Sequence, residues 1–353
     1  MNIETEAKIR KVYREFKRNN KAQSDIEHLT PILNRLLGKA DYSVNSAQIT
    51  TCMMPLDGYC LVYKNYNIFF PKNSVECLED KNLLFFGEML NYAETILPPY
   101  VSMGTLGPII HQIKDSESKE NQIELGNKFL EVVFGKLNLS TFSIELYPKF
   151  KALKESHIQI KETIELYSLG YYRSAITTLL PCIENAIRSL GNSLGISEPE
   201  NVGAKFLLGI IEASVKKYIN DFVYHNYDWV PAGIKTKSFF NKFDKRVQIM
   251  LNCHNYVQNH LYQSTAFYSG LTQLNRHSII HGFMPNYYEK ANFLRLINLL
   301  NGICFMLTMS GEKVSLLPPL QSDKSIMFFE ILKILSVTGG NREKAMDKFE
   351  IER

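Results

Sequence analysis

Tyr171-Tyr-Arg-Ser-Ala-Ile-Thr-Thr-Leu-Leu-Pro-Cys-Ile-Glu184 and the residues after it decide the fold class. Ile176, Leu179, Leu180, Ile183, Ile187 and Leu190 recur at three- and four-residue steps, the spacing that gathers apolar side chains on one face of a helix. Pro181 sits inside that pattern and predicts a lost backbone bond and a bend, and Gly191 and Gly195 are read as the helix end. Just upstream, Phe150, Leu153, His157, Ile160, Ile164 and Tyr167 form a second stripe that closes at Gly170. Downstream, the pattern predicts helices over 202–218, 247–261, 267–280 and 288–309, the third of these closed off by the stop signals Gly282 and Pro285. Five or six helices with short links describe a bundle over residues 148–310, and no period of about 20 to 50 residues recurs, so it is not a solenoid.

The flanks read differently. Over residues 3–20, Ile9, Val12, Tyr13 and Phe16 make an apolar face, while Lys11, Arg14, Arg18 and Lys21 make a basic stripe, the kind of face that solvent usually covers. A helix follows over 25–37. Between about 47 and 70 the runs 59–63 and 67–70, punctuated by Pro55, Asp57-Gly58 and Pro71, predict short strands or a hairpin. Helix returns over 83–96 and stops at Pro98-Pro99. The expected class is therefore mainly α: a 1–147 N-terminal helical domain with a small β element, a 148–310 bundle, and a 311–353 helical tail. In the tail, residues 331–345 are similar to the first helix and turn of a Fis-type helix-turn-helix, with Gly339-Gly340 in the turn. Too little chain follows for a recognition helix, so a helical hairpin for dimer or partner contact is expected.

Composition bounds the partners. Forty basic against 36 acidic residues leave a net charge of +4, too small to identify a polyanion partner from the global balance. Nineteen Tyr and 21 Phe argue for a packed chain. Six scattered cysteines with no C-x-x-C read as reduced thiols in a cytoplasmic protein, and no apolar segment follows the first charges, so no signal peptide is expected. The apolar stretch 294–309 is broken by Arg295, Asn298 and Asn301 and reads as a core helix, with no membrane partner. Local clustering says more. Lys235, Lys237, Lys242, Lys245 and Arg246 interleave with Phe239, Phe240 and Phe243, and Lys235, Lys237, Lys242 and Arg246 are candidate RNA contacts, although buried Phe anchors are the commoner reading of such aromatics. Phosphate-loop, dinucleotide-binding and nucleophile-elbow motifs are missing.

The chemistry concentrates in Leu274-Asn-Arg-His-Ser-Ile-Ile-His-Gly282. Metal-free RNA cleavage needs a group titrating near neutrality to take the 2′-hydroxyl proton, and a fixed cation to hold the phosphate as it gains charge. Histidine and arginine supply these, here His281 and Arg276, with two isoleucines expected to be buried between them. Five residues rotate a helix by about 140°, so the pair does not share one stripe. Other readings stay open. His277 and His281 are spaced like two zinc ligands, with Cys253, His254 and His260 upstream, but the glutamate of an H-E-x-x-H hydrolase is missing and no metal or cofactor is expected. Alternatively, Arg276 is simply an ion-pair partner for Glu184 and His281 a helix C-terminal residue favoured by the dipole.

These residues resemble the HEPN superfamily, whose ribonuclease members carry Arg, a polar residue, three to five further residues and His. Here the match is Arg276, His277 and His281, followed by Gly282, and the similarity extends to the Leu-Leu-Pro helix from Tyr171 to Glu184. It covers 148–310. The resemblance implies a HEPN-like bundle and a homodimer in which two Arg276 and two His281 share a cleft. It implies metal-independent endoribonuclease activity leaving 2′,3′-cyclic phosphate ends, and a role in a toxin or anti-phage system with an antitoxin or defence partner. Asn275 and Glu184 would be helper residues. His277 fills a slot that the family also fills with Asn or Asp, so the base is either His277 or His281.

Overall fold

The computed structural model describes residues 1–39, 41–52, 54–197 and 203–351. Among these residues the chain is mainly helical, with one antiparallel sheet whose strands β1 (Tyr42–Ile49), β2 (Leu56–Tyr63) and β3 (Tyr66–Pro71) lie side by side in that order. It forms two compact units, residues 1–84 with 215–248, and residues 85–214 with the chain from 249 onward. These units do not follow the contiguous division at residue 147. The physical reason is main-chain pairing: Phe69 N donates to Trp229 O at 2.9 Å and Asp228 N to Asn67 O at 2.8 Å, which stitches a distant segment to the sheet.

In the first unit, the helix Ile3–Arg18 starts at Asn2, whose side chain accepts from Thr5 N at 2.8 Å. Acidic Glu4 and Glu6 in its first turn and basic Lys17 and Arg18 in its last turn complement the dipole. Its stripe Ile9, Val12 and Phe16 is fully buried with Leu29 and Leu33 of the helix Ile26–Leu37 and with Tyr59, Leu61, Ile68 and Phe70 of the sheet. Trp229 meets Tyr13 and Phe70 edge-on, at 5.6 and 5.9 Å between ring centroids. Strands β2 (Leu56–Tyr63) and β3 (Tyr66–Pro71) match the expected runs. Most of β1 (Tyr42–Ile49) was not expected, because an edge strand carrying Ser43, Asn45 and Ser46 lacks an apolar signature.

The second unit is built around the helix Lys290–Met309, buried from Ala291 to Leu307. By length and composition it could cross a membrane, yet its residues lie inside the protein. Its polar residues hold neighbouring backbone. Arg295 donates to the carbonyls of Glu94 and Ala93 at 3.0 and 3.2 Å, Asn298 donates to that of Ile96 at 2.9 Å, and Asn301 accepts from the Tyr147 hydroxyl at 2.9 Å. The helix Tyr172–Ser193 packs along it and runs unbroken through Pro181 and Gly191, so the glycine reading of its end is corrected to Gly195, at φ 72°.

The helix expected over 202–218 is present as Ala204–Lys217, and its expected first residue lies outside the described residues. Two further expectations are corrected. Most of the helix expected over 267–280 is loop, with only Arg276–His281 helical, because the backbone N–H groups of Leu271 and Thr272 bond the Glu94 carboxylate instead of carbonyls one turn back. The tail is a single helix, Asp323–Ile351, rather than a hairpin. Gly339 allows close approach rather than a turn: a Cβ there would fall 2.7 Å from the carbonyl carbon of Leu169. Phe328 and Leu332 are buried and Arg342 lies 4.2 Å above the Tyr171 ring, so this helix is part of the second unit.

Candidate functional site

Arg276–His281 is a helix of under two turns whose ends are both fixed by sequence. Asn275 is its N-cap and is fully buried. Its Oδ1 accepts from Ser278 N at 3.0 Å, and its Nδ2 donates to the carbonyls of Gln263 and His260 at 2.7 and 3.1 Å. With its side-chain groups occupied in this way, Asn275 ties the start of the helix to the segment 260–263. At the other end Gly282 takes φ 72°, and Phe283 N reaches back to Ser278 O at 2.9 Å, closing the helix directly after His281. Ile279 is buried, but Ile280 is half exposed, which corrects the expectation that both isoleucines anchor the turn.

Glu184 organises the face that Arg276 presents. Its carboxylate accepts from Arg276 Nε at 2.8 Å and from the Tyr262 hydroxyl, and Arg188 lies one turn along at 4.0 Å. The Arg276 guanidinium sits 6.0 Å from the centroid of the Tyr262 ring, and the His277 imidazole packs edge-on against the same ring at 5.8 Å. Tyr262 thus meets both the cation and the imidazole. Burial, reinforced by the Glu184 hydrogen bond and charge, pushes its phenol far above the ordinary value, so it stays a donor. Only Nε of Arg276 is hydrogen-bonded among the described residues, so both terminal nitrogens remain for a ligand.

His277 is held below its ordinary value of 6.5 by partial burial, then by the charges of Arg276 and His281, against the opposing pull of Glu184. His281 is exposed at the end of the helix, stacked 5.9 Å from the exposed ring of Phe283. The structure therefore brings Glu184, Arg276 and His277 together around Tyr262 and sets His281 one turn beyond His277. For a five-residue step in a helix, the rise is about 7.5 Å with a rotation of about 140°, so Arg276 and His281 of one chain diverge.

The other candidates are sorted by the same geometry. Lys235, Lys237, Lys242 and Arg246 belong to the first unit, whereas Arg276 and His281 belong to the second. Phe239, Phe240 and Phe243 are buried against each other at 5.1 to 5.6 Å, so they are core and not a stacking platform. The upstream zinc candidates point elsewhere: Cys253 is buried, His254 lies 3.7 Å from Glu212, and His260 lies 3.9 Å from Glu94. Among the described residues, no three His, Cys, Asp or Glu side chains gather where a metal could bind.

Two residues escaped the sequence reading. Tyr262 has no spacing relation to Arg276 and gives no signal. Glu94 does give one, being an acid in an apolar run just before two prolines. It is 1% exposed, with φ 51°, and its carboxylate accepts from Leu271 N (3.1 Å), Thr272 N (3.2 Å) and the Thr272 hydroxyl (2.8 Å). Burial pushes this carboxyl up, but the neighbouring His260 and these donors outweigh it and hold it below the usual value. The clamp fixes the loop that delivers Leu274 and Asn275 to the start of the site helix. Comparison with protein-family models, curated proteins and solved structures finds no match.

Proposed function

We propose that the chain is a metal-independent endoribonuclease of the HEPN type, acting as a homodimer with a composite site. The observation that carries the reading is the presentation of Arg276. A carboxylate fixes it through Nε, leaving its two terminal nitrogens for phosphate, next to the His277 imidazole, which burial and neighbouring charges hold below its ordinary value. In this reading a neutral imidazole takes the proton of the 2′-hydroxyl, and the 2′-oxygen attacks the adjacent phosphorus. The bond to the 5′-oxygen breaks, and a protonated imidazole returns a proton to that oxygen. The products are a 2′,3′-cyclic phosphate and a 5′-hydroxyl. The depressed His277 suits the base and the solvent-facing His281 the acid, with the Arg276 guanidinium neutralising the non-bridging oxygens.

The divergence of Arg276 and His281 along one short helix is what favours two copies. The segment around the site also leaves Phe267, Leu271, Ile280 and Phe283 exposed, an apolar surface of the kind that association covers. A defence or toxin role, and a cognate antitoxin, belong to the same proposal and rest on the resemblance alone.

The test is RNA cleavage in EDTA, comparing wild type with Arg276→Ala and His281→Ala and mapping the new ends. Cyclic phosphate ends that both substitutions abolish are expected. RNA left intact at high protein concentration overturns the nuclease reading and leaves a silent RNA- or partner-binding module. Folded substituted proteins that still cut RNA overturn the assignment of these two residues.

A further inference from the structure

A second candidate site lies within the first unit. A cavity of about 540 Å³ opens between the end of β1 and the π-helix Tyr218–Val223, lined by Gln48, Asp221, Phe222, His225, Asn226 and Arg246 among others. Its floor is an unusual aromatic. Phe222 is 49% exposed, whereas Phe239, Phe240 and Phe243 of the same unit are core. The ring is held nevertheless. It stacks at 5.5 Å and 26° on Tyr218, which is buried and donates to the buried Asp244 at 2.9 Å. The Arg246 guanidinium lies 5.2 Å from the Phe222 centroid and 5.9 Å from that of Tyr218. An exposed ring anchored from beneath is a preorganised stacking surface, at little further entropic cost on binding.

The polar lining says what would stack there. The lining carries one guanidinium, Arg246, and one carboxylate, Asp221, so positive charge is not concentrated there as a free phosphate would require. Hydrogen-bonding capacity is plentiful. The Asn226 carboxamide is unpaired among the described residues, and His225 uses Nδ1 on the Phe222 carbonyl at 2.8 Å and keeps Nε2 for a ligand. Gln48 commits only its amide nitrogen, to Asp57 at 2.9 Å. Donors and acceptors around a flat ring, with no concentration of one charge, match the edge and face of a heteroaromatic base.

We propose that this pocket receives one unpaired base of single-stranded RNA, stacked on Phe222 and read at its edge by Asp221, Asn226 and Gln48. The inference deepens the nuclease reading and rests on its RNA substrate class, but not on the chemistry at Arg276. It also revises the part of Arg246: the residue belongs to a base pocket rather than to a row of phosphate contacts with Lys235, Lys237 and Lys242.

The experiment measures binding of the full chain to an uncleavable 2′-O-methyl single strand and to a duplex of the same sequence, by fluorescence anisotropy. Phe222→Ala should weaken single-strand binding on the order of tenfold or more, the usual cost of removing one stacking partner. It should leave duplex binding unchanged, and Phe222→Tyr should restore the single strand. Equal affinity of wild type and Phe222→Ala for the single strand overturns the proposal, as does an equal loss on the duplex. Displacement of the RNA by a free nucleoside monophosphate at micromolar concentration overturns the choice of RNA over a small nucleotide. If the wild type binds in this Phe222-dependent way but cuts nothing, the pocket stands and the nuclease reading falls. If it cuts through Arg276 while Phe222 is irrelevant to binding, the reverse holds.

Discussion

Replacing Glu184 separates a residue that serves the site from one that merely supports the fold. Its carboxylate accepts from Arg276 Nε at 2.8 Å and from the hydroxyl of Tyr262, and its side chain is 15% exposed against 29% for Arg276. A hydrogen bond to a charged group is worth about 1.5–3 kcal/mol, and the exposure of the arginine places this one near the lower end. Glu184→Ala also strands the buried Tyr262 hydroxyl, so a total loss of about 2–3 kcal/mol is expected in urea unfolding. Glu184→Gln keeps an acceptor for one partner and should lose about 1 kcal/mol. If the chain cleaves RNA as proposed, the loss of Arg276's fixed orientation should lower kcat by about 10- to 100-fold in Glu184→Ala, with KM changed far less. The assay is a double-mutant cycle with Arg276→Ala, read on both stability and kcat. A coupling of about 1–2 kcal/mol in each is expected for groups in direct contact. If the two substitutions couple in stability but are additive in kcat, Glu184 does not act through Arg276, and the positioning argument fails.

Two further outcomes follow from the supports behind the site. Asn275→Ala removes the N-cap and both donors to the His260 and Gln263 carbonyls, so it should cost about 2–3 kcal/mol in urea unfolding, whereas an exposed cap costs about 1 kcal/mol; a loss under 0.5 kcal/mol contradicts the assignment. Glu94 gives a pH dependence: its carboxyl is depressed in the folded protein, so its stabilisation is complete above its ordinary value of 4.5 and is lost as pH falls through the lower folded value. The stability-versus-pH curve of Glu94→Gln should therefore be flatter than that of wild type below about pH 4.5, and parallel acid limbs refute this.

How far the sequence could be read depends on the range over which each feature is specified. The stripes Ile9, Val12, Phe16 and Ile176, Leu179, Leu180, Ile183 announce helices because burial at 3.6-residue spacing is a local pattern, and these residues are buried as expected. Two glycine readings failed for one physical reason. Gly191 and Gly339 look like punctuation, but both lie inside helices at close approaches, Gly191 to the Ile210 side chain and Gly339 to the backbone at Leu169. A glycine required by a neighbour looks the same in sequence as a glycine required by a turn. The polar breaks Arg295, Asn298 and Asn301 were read as arguments against a membrane helix, and that was all they could say locally. Their hydrogen bonds to residues 93–96 and to Tyr147 span about half the chain.

The site shows the same division more sharply. Asn275, Arg276, His277, His281 and Gly282 stand together in sequence because a short helix needs its cap, its side chains and its stop within eight residues, and so they could be found. What gives Arg276 a direction comes from elsewhere: Glu184 lies 92 residues away, and Tyr262 and Glu94 carry no motif. The resemblance points to Glu184, whose carboxylate accepts from Nε and leaves both terminal nitrogens of the guanidinium without a hydrogen bond among the described residues. The same bond is also what a purely structural ion pair would make. The two readings part only at those terminal nitrogens: a structural pair has no use for them, whereas phosphate does. An Arg276→Lys protein, which keeps the charge but loses the fork, therefore tests the distinction: retained stability with lost cleavage favours phosphate binding, and retained cleavage removes the need for a fork at all.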